Sequence, residues 1–383
     1  MKLPDGWKEI KLGDILLRAE YGTAAKSNFS GKCPVLRMGN LKDGKIDWSD
    51  LVYTSSVDEI KKYQLEAGDI LFNRTNSRDL VGKTAIYTNE HPAIFAGYLI
   101  RLRVKKECDA FFLNYYMNSE KFISFCKAVR TDAIGQSNIN AQSLQCFKFL
   151  LPPLPEQKAI ADTLSIWDEM IEKTEQLIKE KEKRYNCLIS RILFNNKKGS
   201  QVFLKNFANE LSIRNSDLSV SQVLSVTNKN GFILPEEQFS KQVASNDLSN
   251  YKIVKKGQFA YNPSRINVGS IARLDNWDNA VLSPMYTVFK INEDTVNSDY
   301  FLHWLHSHIA NQKIKSCAQG GVRAIVNFSD FASISLYIPE KRKQDEIADV
   351  LNSMQKEITL LRQLADQYKL QKQGLMQKLL TGQ

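Results

Sequence analysis

Several features that define common classes of protein are missing from this sequence of 383 residues. Its apolar runs, such as residues 93–96, are far too short to span a bilayer, and residues 1–9 lack the apolar core of a signal peptide. The six cysteines are scattered and form no CxxC pair, so the sequence signals neither a zinc site nor a disulfide framework. We therefore expect a cytoplasmic protein with reduced cysteines.

Motifs for catalysis are also lacking. Residues 81–84 (Val-Gly-Lys-Thr) end like a phosphate-binding loop, but Ser77 stands where GxxxxGK[ST] requires glycine. Residues 262–265 (Asn-Pro-Ser-Arg) begin like an amino-methyltransferase motif, but arginine replaces the stacking aromatic. Three histidines between 303 and 308 have no carboxylate cluster and are typical of ordinary helix histidines. The sequence predicts no catalytic centre and no metal site.

What the sequence has in excess is positive charge. The formal net charge is +10, and residues 1–153 contribute half of it, with 22 basic and 17 acidic residues. A basic protein suits a polyanionic partner, although many basic proteins bind no nucleic acid. The apolar content of 43% is ordinary for a globular protein, and the length predicts two or three domains.

The most informative pattern is an internal duplication. A constant shift of 187 positions (344 − 157) carries Gln157 onto Gln344 and residues 160–162 (Ile-Ala-Asp) onto residues 347–349. Shared periodicity alone would not place the same polar residues at one offset, so we infer that the chain contains one unit twice.

Each copy continues into a predicted long helix. Apolar or large residues recur at steps of four and three, which is the heptad pattern of a coiled coil. A narrow apolar stripe on a long helix needs a partner, which the other copy supplies. A simpler alternative is that two amphipathic helices each cover a core. The expected seam residues are Ile160, Leu164, Trp167, Ile171, Ile178, Leu188 and Ile192 in the first copy and Ile347, Leu351, Met354, Ile358, Leu361, Leu375 and Leu379 in the second.

The segments before the helices have mixed patterns. In residues 1–153, strand-like runs alternate with one helical run from Phe111 to about Ala128, which predicts an α+β domain. Residues 18–29 and 135–140 are polar and are expected to form loops, and Asp43-Gly44 predicts a hairpin turn. Residues 199–339 repeat this plan with different polar loops, as expected if each copy recognises a different ligand.

Together these residues resemble a known family, the specificity subunits of type I restriction-modification systems. The resemblance covers nearly the whole chain. The second copy departs from the pattern at residues 338–341, before its helix, and in the acidic pair that follows Gln344. The matching stretches are residues 4–8 (Pro-Asp-Gly-Trp-Lys), 12–14 (Leu-Gly-Asp), 21–23 (Tyr-Gly-Thr), 35–40 (Val-Leu-Arg-Met-Gly-Asn) and 151–157 (Leu-Pro-Pro-Leu-Pro-Glu-Gln) leading into Ile160-Ala161.

The resemblance implies an α+β protein in which two similar mixed α/β target-recognition domains, 1–153 and 199–339, are joined by two long helices, 154–198 and 340–383. The helices are expected to form an antiparallel coiled coil, with an internal pseudo-two-fold repeat, that acts as a spacer. Such a chain is a non-catalytic, sequence-specific DNA-binding subunit for a bipartite asymmetric site in double-stranded DNA. It recruits DNA methyltransferase subunits and ATP-dependent restriction subunits. No cofactor is expected in this chain, because S-adenosylmethionine and ATP are expected on the partner subunits.

Candidate DNA-binding residues follow from the chemistry of base edges. Arginine can donate two hydrogen bonds to guanine, and asparagine or glutamine can bond adenine in the same way. The candidates for base contacts are Arg74, Asn76, Arg78 and Gln136 in the first domain and Arg265, Asn267 and Arg323 in the second. The candidates for phosphate contacts, which position the protein without specifying sequence, are Lys26, Lys83, Lys255 and Lys256.

Two other classes of function stay open at this point. The chain could be a coiled-coil scaffold that presents two protein-binding modules, or a DNA-binding enzyme with an unrecognised active site. Each candidate side chain could equally be a solvated surface residue or one that fixes a loop.

Overall fold

A computed structural model describes residues 4–195, 199–228, 230–238, 247–317 and 325–382. The chain divides into two compact units. The first consists of residues 1–174 and 364–383, and the second of residues 175–363. The predicted domains were divided at the ends of the long helices. The two compact units instead divide each long helix, and each part of a helix belongs to the unit on which it packs.

The described residues of the first unit form fourteen strands and four short α-helices, followed by the first long helix. Its strands are β1 (Lys8–Lys11), β2 (Leu16–Tyr21), β3 (Cys33–Leu36), β4 (Leu41–Lys42), β5 (Lys45–Ile46), β6 (Val52–Thr54), β7 (Ile70–Asn73), β8 (Thr75–Asn76), β9 (Thr84–Ile86), β10 (Ile94–Phe95), β11 (Leu99–Val104), β12 (Thr131–Ala133), β13 (Gln136–Asn138) and β14 (Lys148–Leu151). Its helices are α1 (Val57–Tyr63), α2 (Ala110–Met117), α3 (Glu120–Val129) and α4 (Ala141–Gln145), and the long helix is α5 (Leu154–Asn195).

A four-stranded antiparallel sheet in the order β2-β11-β7-β9 forms the centre of this unit. One of its faces packs on α2 and α3 through an aromatic cluster that includes Phe72, Phe122 and Phe147, all fully buried. The other sheets of the described part of this unit are β10-β3-β6, β1-β14, β12-β13-β8 and the two-stranded β4-β5. The predicted turn at Asp43-Gly44 is confirmed, since it joins β4 to β5 with both residues at positive φ.

The second unit repeats the core of this plan. A sheet in the order β16-β23-β20-β21 corresponds to the central sheet of the first unit, and β15-β24 corresponds to β1-β14. Its described strands are β15 (Ser200–Phe203), β16 (Ala208–Leu211), β17 (Ser225–Thr227), β18 (Gly231–Ile233), β19 (Lys252–Lys255), β20 (Phe259–Tyr261), β21 (Ile271–Arg273), β22 (Asn279–Leu282), β23 (Thr287–Ile291) and β24 (Ser335–Ile338). Its described helices are α6 (Pro235–Gln238), α7 (Ser298–Leu305), α8 (His308–Cys317), α9 (Phe328–Ala332) and the long helix α10 (Lys341–Thr381).

Two predictions of local structure were wrong in part. The helix expected from Phe111 to Ala128 is two helices, because Asn118 ends α2 and the Ser119 hydroxyl caps α3 by accepting the Phe122 N–H. The loop expected over residues 18–29 begins only after Tyr21, since residues 16–21 pair with β11. These residues form a strand because they pair with β11, and their polar composition alone does not indicate a strand.

The two long helices pack together within each unit. In the first unit, the Lys372 ammonium contacts the Asp168 carboxylate at 2.6 Å, and the Tyr115 hydroxyl donates to the same carboxylate at 2.7 Å. Burial, and secondarily this hydrogen bond, raise the pKa of Tyr115. The rings of Trp167 and Tyr368 lie 5.9 Å apart. Nearer the start of α5, Ile160 and Leu164 share a core with the last turns of α10, so the helices run antiparallel.

In the second unit, the helix pair carries the ion pairs Lys181–Glu357 (2.7 Å) and Arg362–Glu182 (2.6 Å). The fourteen predicted seam residues of the two helices are all buried or half-buried. Ile189, Ala365 and Leu380 on the same helices are buried as well.

A chain of buried polar groups joins α7 to both long helices in the second unit. The Tyr185 hydroxyl lies 2.7 Å from Nδ1 of His303, and Asn352 Oδ1 lies 2.8 Å from its Nε2. Asn352 donates in turn to Asp299, which is paired with Arg273. Burial lowers the pKa of His303, although Asn352 and Asp299 favour its charged form.

The duplicated glutamine explains how each globular part is fixed to its helix. Gln157 is 1% exposed, donates to the carbonyls of Glu107 (3.0 Å) and Pro152 (2.8 Å), and accepts the Asp109 N–H (2.7 Å) at the start of α2. Gln344, also 1% exposed, makes the same three bonds to residues 295, 339 and 297, the last at the start of α7. We call this arrangement the glutamine clamp. It satisfies backbone groups that would otherwise be buried without partners.

Candidate nucleic-acid interface

In the first unit, three of the predicted base-contacting residues meet in a small sheet. Strand β8 continues the chain beyond β7 and pairs with β13, so that Asn76 lies opposite Ser137. Strand β13 is also one arm of a hairpin with β12, in which Gln136 pairs with Ala133. We call the sheet β12-β13-β8 the hairpin sheet. It brings Asn76 and Gln136 onto neighbouring strands, with Arg78 just beyond β8.

Arg74 lies at the junction between the central sheet and the hairpin sheet. Its guanidinium carbon is 4.8 Å from the centre of the Tyr21 ring, a cation–π distance. Its backbone N–H donates to the Tyr98 carbonyl, and its carbonyl accepts the Ile139 N–H. Tyr21 and Tyr98 are 43% and 51% exposed, so an arginine and two accessible aromatic rings occupy this edge of the unit.

Arg78 is held by a carboxylate on the hairpin. Its Nε lies 3.3 Å from Asp132, and the Arg130 Nε approaches the same carboxylate at 3.2 Å. The Ser137 hydroxyl donates to Asp132 at 2.5 Å, and this bond, followed by the charges of the two arginines, lowers the pKa of Asp132. The Arg78 side chain is nevertheless 70% exposed.

The tip of the hairpin is apolar. Ile134 is fully exposed, and Gly135 follows it at φ +77°, a conformation that glycine adopts without strain. An exposed isoleucine is suited to contact with a base or a thymine methyl group. The polar loop expected over residues 135–140 was wrong in part, because residues 136–138 form strand β13. Ile134 and Asp132 were not among the candidate residues, and Tyr21 was noted only within the family match at residues 21–23. The Gly135 turn signal was the one available indication of a hairpin here.

The remaining candidates of the first unit differ in position. Lys83 is exposed, and its carbonyl accepts the Asn73 N–H, so it lies at the same end of β7 as Arg74. Lys26 is exposed in the loop that follows Tyr21. The Asn76 side-chain oxygen already accepts the Ser77 N–H at 2.8 Å, so a bidentate contact with adenine requires it to share this acceptor.

In the second unit, the candidates lie at opposite ends of one strand. Arg265 is exposed and Asn267 half-buried beyond the end of β20, whereas the exposed Lys255 and Lys256 precede its start. The structure therefore does not bring the lysines together with Arg265. Arg323 lies outside the described residues.

The chain around Arg265 follows the same path as its counterpart in the first unit. The Val326 N–H donates to the Pro263 carbonyl at 3.1 Å, much as the Ile139 N–H donates to the Arg74 carbonyl at 2.9 Å. Residues 139 and 326 are related by the 187-residue shift. The backbone beside the candidate arginine is thus preserved in both copies, while the side chains have changed.

The described ranges contain no group of three or more His, Cys, Asp or Glu that could hold a metal ion. In the same part of the chain, no helix combines the length and apolarity that crossing a membrane requires.

Comparison with known proteins concerns the chain as a whole. The family model described as the type I restriction modification DNA specificity domain matches residues 4–183 and again residues 213–369. A protein of Methanocaldococcus jannaschii named as a type I restriction enzyme MjaX specificity subunit is 27% identical over all of this chain and 94% of its own length. The StySPI specificity subunit of Salmonella potsdam is 29% identical over 54% of this chain and 44% of that protein.

Solved structures show the same fold. The S subunit of a type I restriction-modification system from M. genitalium superposes with a TM-score of 0.63 at 14% identity, over 99% of this chain and 98% of that one. A chain from a study of complex assembly and conformational transition in the type I system gives a TM-score of 0.59, also at 14% identity, with 100% and 99% coverage. The sequence-based identification is confirmed by two separate matches of one domain to the two halves of the chain, and the chain belongs to the family of type I restriction-modification DNA specificity subunits, which are DNA-targeting components rather than enzymes.

Proposed function

We propose that each unit recognises one part of a bipartite DNA sequence through the loops at the end of its central sheet. The observation that carries this proposal is the pairing of β8 with β13, which places Asn76 and Gln136 on neighbouring strands beyond β7, with Arg74 before β8 and Arg78 after it. Arginine and amide side chains are the groups that distinguish guanine and adenine in the major groove. The repeated backbone at Arg265 extends the proposal to the second unit.

The shape of the hairpin sheet also suits a duplex. A two-stranded ribbon fits the major groove of B-DNA, and β12 and β13 form such a ribbon with Ile134 at its tip. Lys83 and Lys26 are proposed to contact phosphates, which fix the register of the protein without specifying sequence. The two accessible rings beside Arg74 give the edge further area for packing against the nucleic acid.

Partner subunits are proposed to supply the chemistry. Specificity subunits are named for enzymes that modify and cut DNA, and one solved relative comes from a study of complex assembly. We propose that this chain recruits DNA methyltransferase subunits and, through them, ATP-dependent restriction subunits, and that S-adenosylmethionine and ATP are bound by those partners. All six cysteines are free thiols, which fits a place in the reducing cytoplasm.

Selection of binding sites from a random pool of duplexes tests the proposal. The wild-type chain, alone and with its methyltransferase subunit, should enrich a split sequence. Arg74→Ala should relax the preference in one part of that sequence, at a cost of about 1–3 kcal/mol at the affected base pair. Arg342→Ala removes an arginine that is 88% exposed on α10, and it serves as the matched control.

The outcomes separate the functions considered above. A scaffold for proteins would enrich no sequence with or without the methyltransferase. A relaxed preference in the Arg342→Ala variant as large as that in Arg74→Ala would show that loss of charge alone is responsible, and would contradict the role given to Arg74. Modification or cleavage of DNA by the lone chain would instead point to an unrecognised active site.

A further inference from the structure

We infer that Asp132 is a positioning residue for base recognition, which orients Arg78 so that its two terminal nitrogens face a guanine. This inference rests on the proposed DNA-reading function. An acidic side chain inside a DNA-binding surface repels phosphate, so its presence there needs a reason. The contacts made by Asp132 supply one.

The first part of the reason is which nitrogen is bound. Asp132 Oδ2 lies 3.3 Å from the Nε of Arg78. A guanine presents two acceptors, O6 and N7, and a bidentate contact requires two donors in a fixed fork. A carboxylate beside Nε restricts rotation at the end of this long side chain, and in the proposed orientation the two Nη groups donate to the guanine.

The second part is how firmly the carboxylate is itself held. The hydroxyl of Ser137, a residue 2% exposed, donates to Asp132 Oδ1, and Arg130, whose side chain is 12% exposed, approaches the same oxygen. The Arg130 Nη1 also donates to the Arg78 carbonyl at 3.2 Å. The hairpin is thereby tied to both the backbone and the side chain of Arg78. Side chains held in one geometry lose less entropy on binding and discriminate better between ligands.

The third part is exposure. Arg78 is 70% exposed and Asp132 45% exposed. An ion pair so open to water adds little to the stability of the fold. A contribution to the orientation of Arg78 fits this placement better than a contribution to stability.

The inference makes an unusual prediction about Asp132→Asn. Removal of the negative charge should strengthen binding to unrelated duplexes, roughly fivefold at low salt. At the same time, preference for guanine at one position should fall by at least about fivefold, because a well-placed bidentate contact is worth that much or more. Affinity and specificity should therefore move in opposite directions.

Fluorescence anisotropy with the full-length chain measures both quantities, once site selection has given the wild-type sequence. Arg78→Lys keeps the charge but has no Nε and should lose preference for the same guanine. In that background, Asp132→Asn should change the preference no further, since residues that act as a unit are not additive. Asp132→Glu, which keeps the carboxylate, should retain part of the preference.

Each other outcome overturns the inference in an identifiable way. An unchanged preference in Asp132→Asn excludes the positioning role. Loss of preference at a different base shows that Asp132 contacts DNA directly, and loss throughout that part of the site shows that the hairpin has collapsed. If the wild-type chain enriches no sequence, the proposed function is refuted together with this inference. The other outcomes appear only in the variants, so the two failures can be told apart.

Discussion

The glutamine clamp offers a sharp test of how the globular parts are attached. In Gln157→Ala, the Asp109 N–H and the carbonyls of Glu107 and Pro152 lose their partner in a place where the side chain is 1% exposed. A buried polar group without a partner costs about 1–3 kcal/mol. Because carbonyls tolerate incomplete bonding and water can enter the space that is left, we expect a total loss of about 3–5 kcal/mol. Alanine has a higher helix propensity than glutamine, so the substitution itself offsets a small part of the loss in the free energy of unfolding.

Hydrogen exchange followed by mass spectrometry measures the effect locally. Gln157→Ala should lower the free energy of opening for the amides of α2, whose first turn the clamp holds, and should leave those of α7 unchanged. Gln344→Ala should do the reverse. Each variant is thus the control for the other, and Gln377→Ala, on an exposed position of α10, controls for the loss of a glutamine from a long helix.

The role of the glutamine clamp is refuted if the α2 amides of Gln157→Ala exchange no faster than those of the wild type. It is also refuted if Gln377→Ala speeds their exchange to the same extent. Equal effects of Gln157→Ala on α2 and α7 would show a general loss of stability in place of a local clamp.

Two further predictions concern polar groups that pack against the long helices. Because burial lowers the pKa of His303 in the folded chain, the unfolded chain binds this proton more tightly. The contribution of His303 to the free energy of unfolding of the second unit should therefore be fully present above about pH 6.5 and should fall as the pH drops through that value. Urea titrations at several pH values between 7 and 5 should show that the free energy of unfolding depends less on pH in His303→Gln than in the wild type, and an unchanged pH dependence would contradict the prediction. Lys372→Met leaves the half-buried Asp168 carboxylate with the Tyr115 hydroxyl alone, and should cost about 1–3 kcal/mol in the first unit. Lys378→Met, at an exposed position of the same helix, should cost little by the same measurement, and an equal loss would refute the importance of the ion pair.

The repeated parts of the fold were accessible from the sequence because repetition makes weak signals stand out. Both long helices were predicted close to their observed starts at Leu154 and Lys341, since a proline precedes each and the heptad pattern follows. Gln157 was noticed as part of the duplication, but its role depends on carbonyls 50 and 5 residues away and could not be read from its neighbours.

The proposed DNA interface was less accessible. Arg74 and Arg78 were identified by residue type, because arginine can donate two hydrogen bonds to guanine. Asp132 and Ser137 are distant in sequence and polar, and only the pairing of β13 with β8 brings them beside Arg78. Residue type indicates which side chains can contact bases, whereas long-range strand pairing decides which of them are held in place. Lys255 and Lys256 lie at the opposite end of β20 from Arg265, and residue type alone could not indicate this either.

The path of the chain has a consequence for synthesis on the ribosome. The core of the first unit contains Leu380, which is 2% exposed and packs in the same cluster as Trp7 and Leu164. Translation delivers the beginning of this core more than 350 residues before its last component, whereas residues 175–363 emerge as one continuous stretch. The unit that starts first is therefore completed last, and until then the apolar side of α5 near Ile160 and Leu164 stays open to chaperones or to premature association between nascent chains.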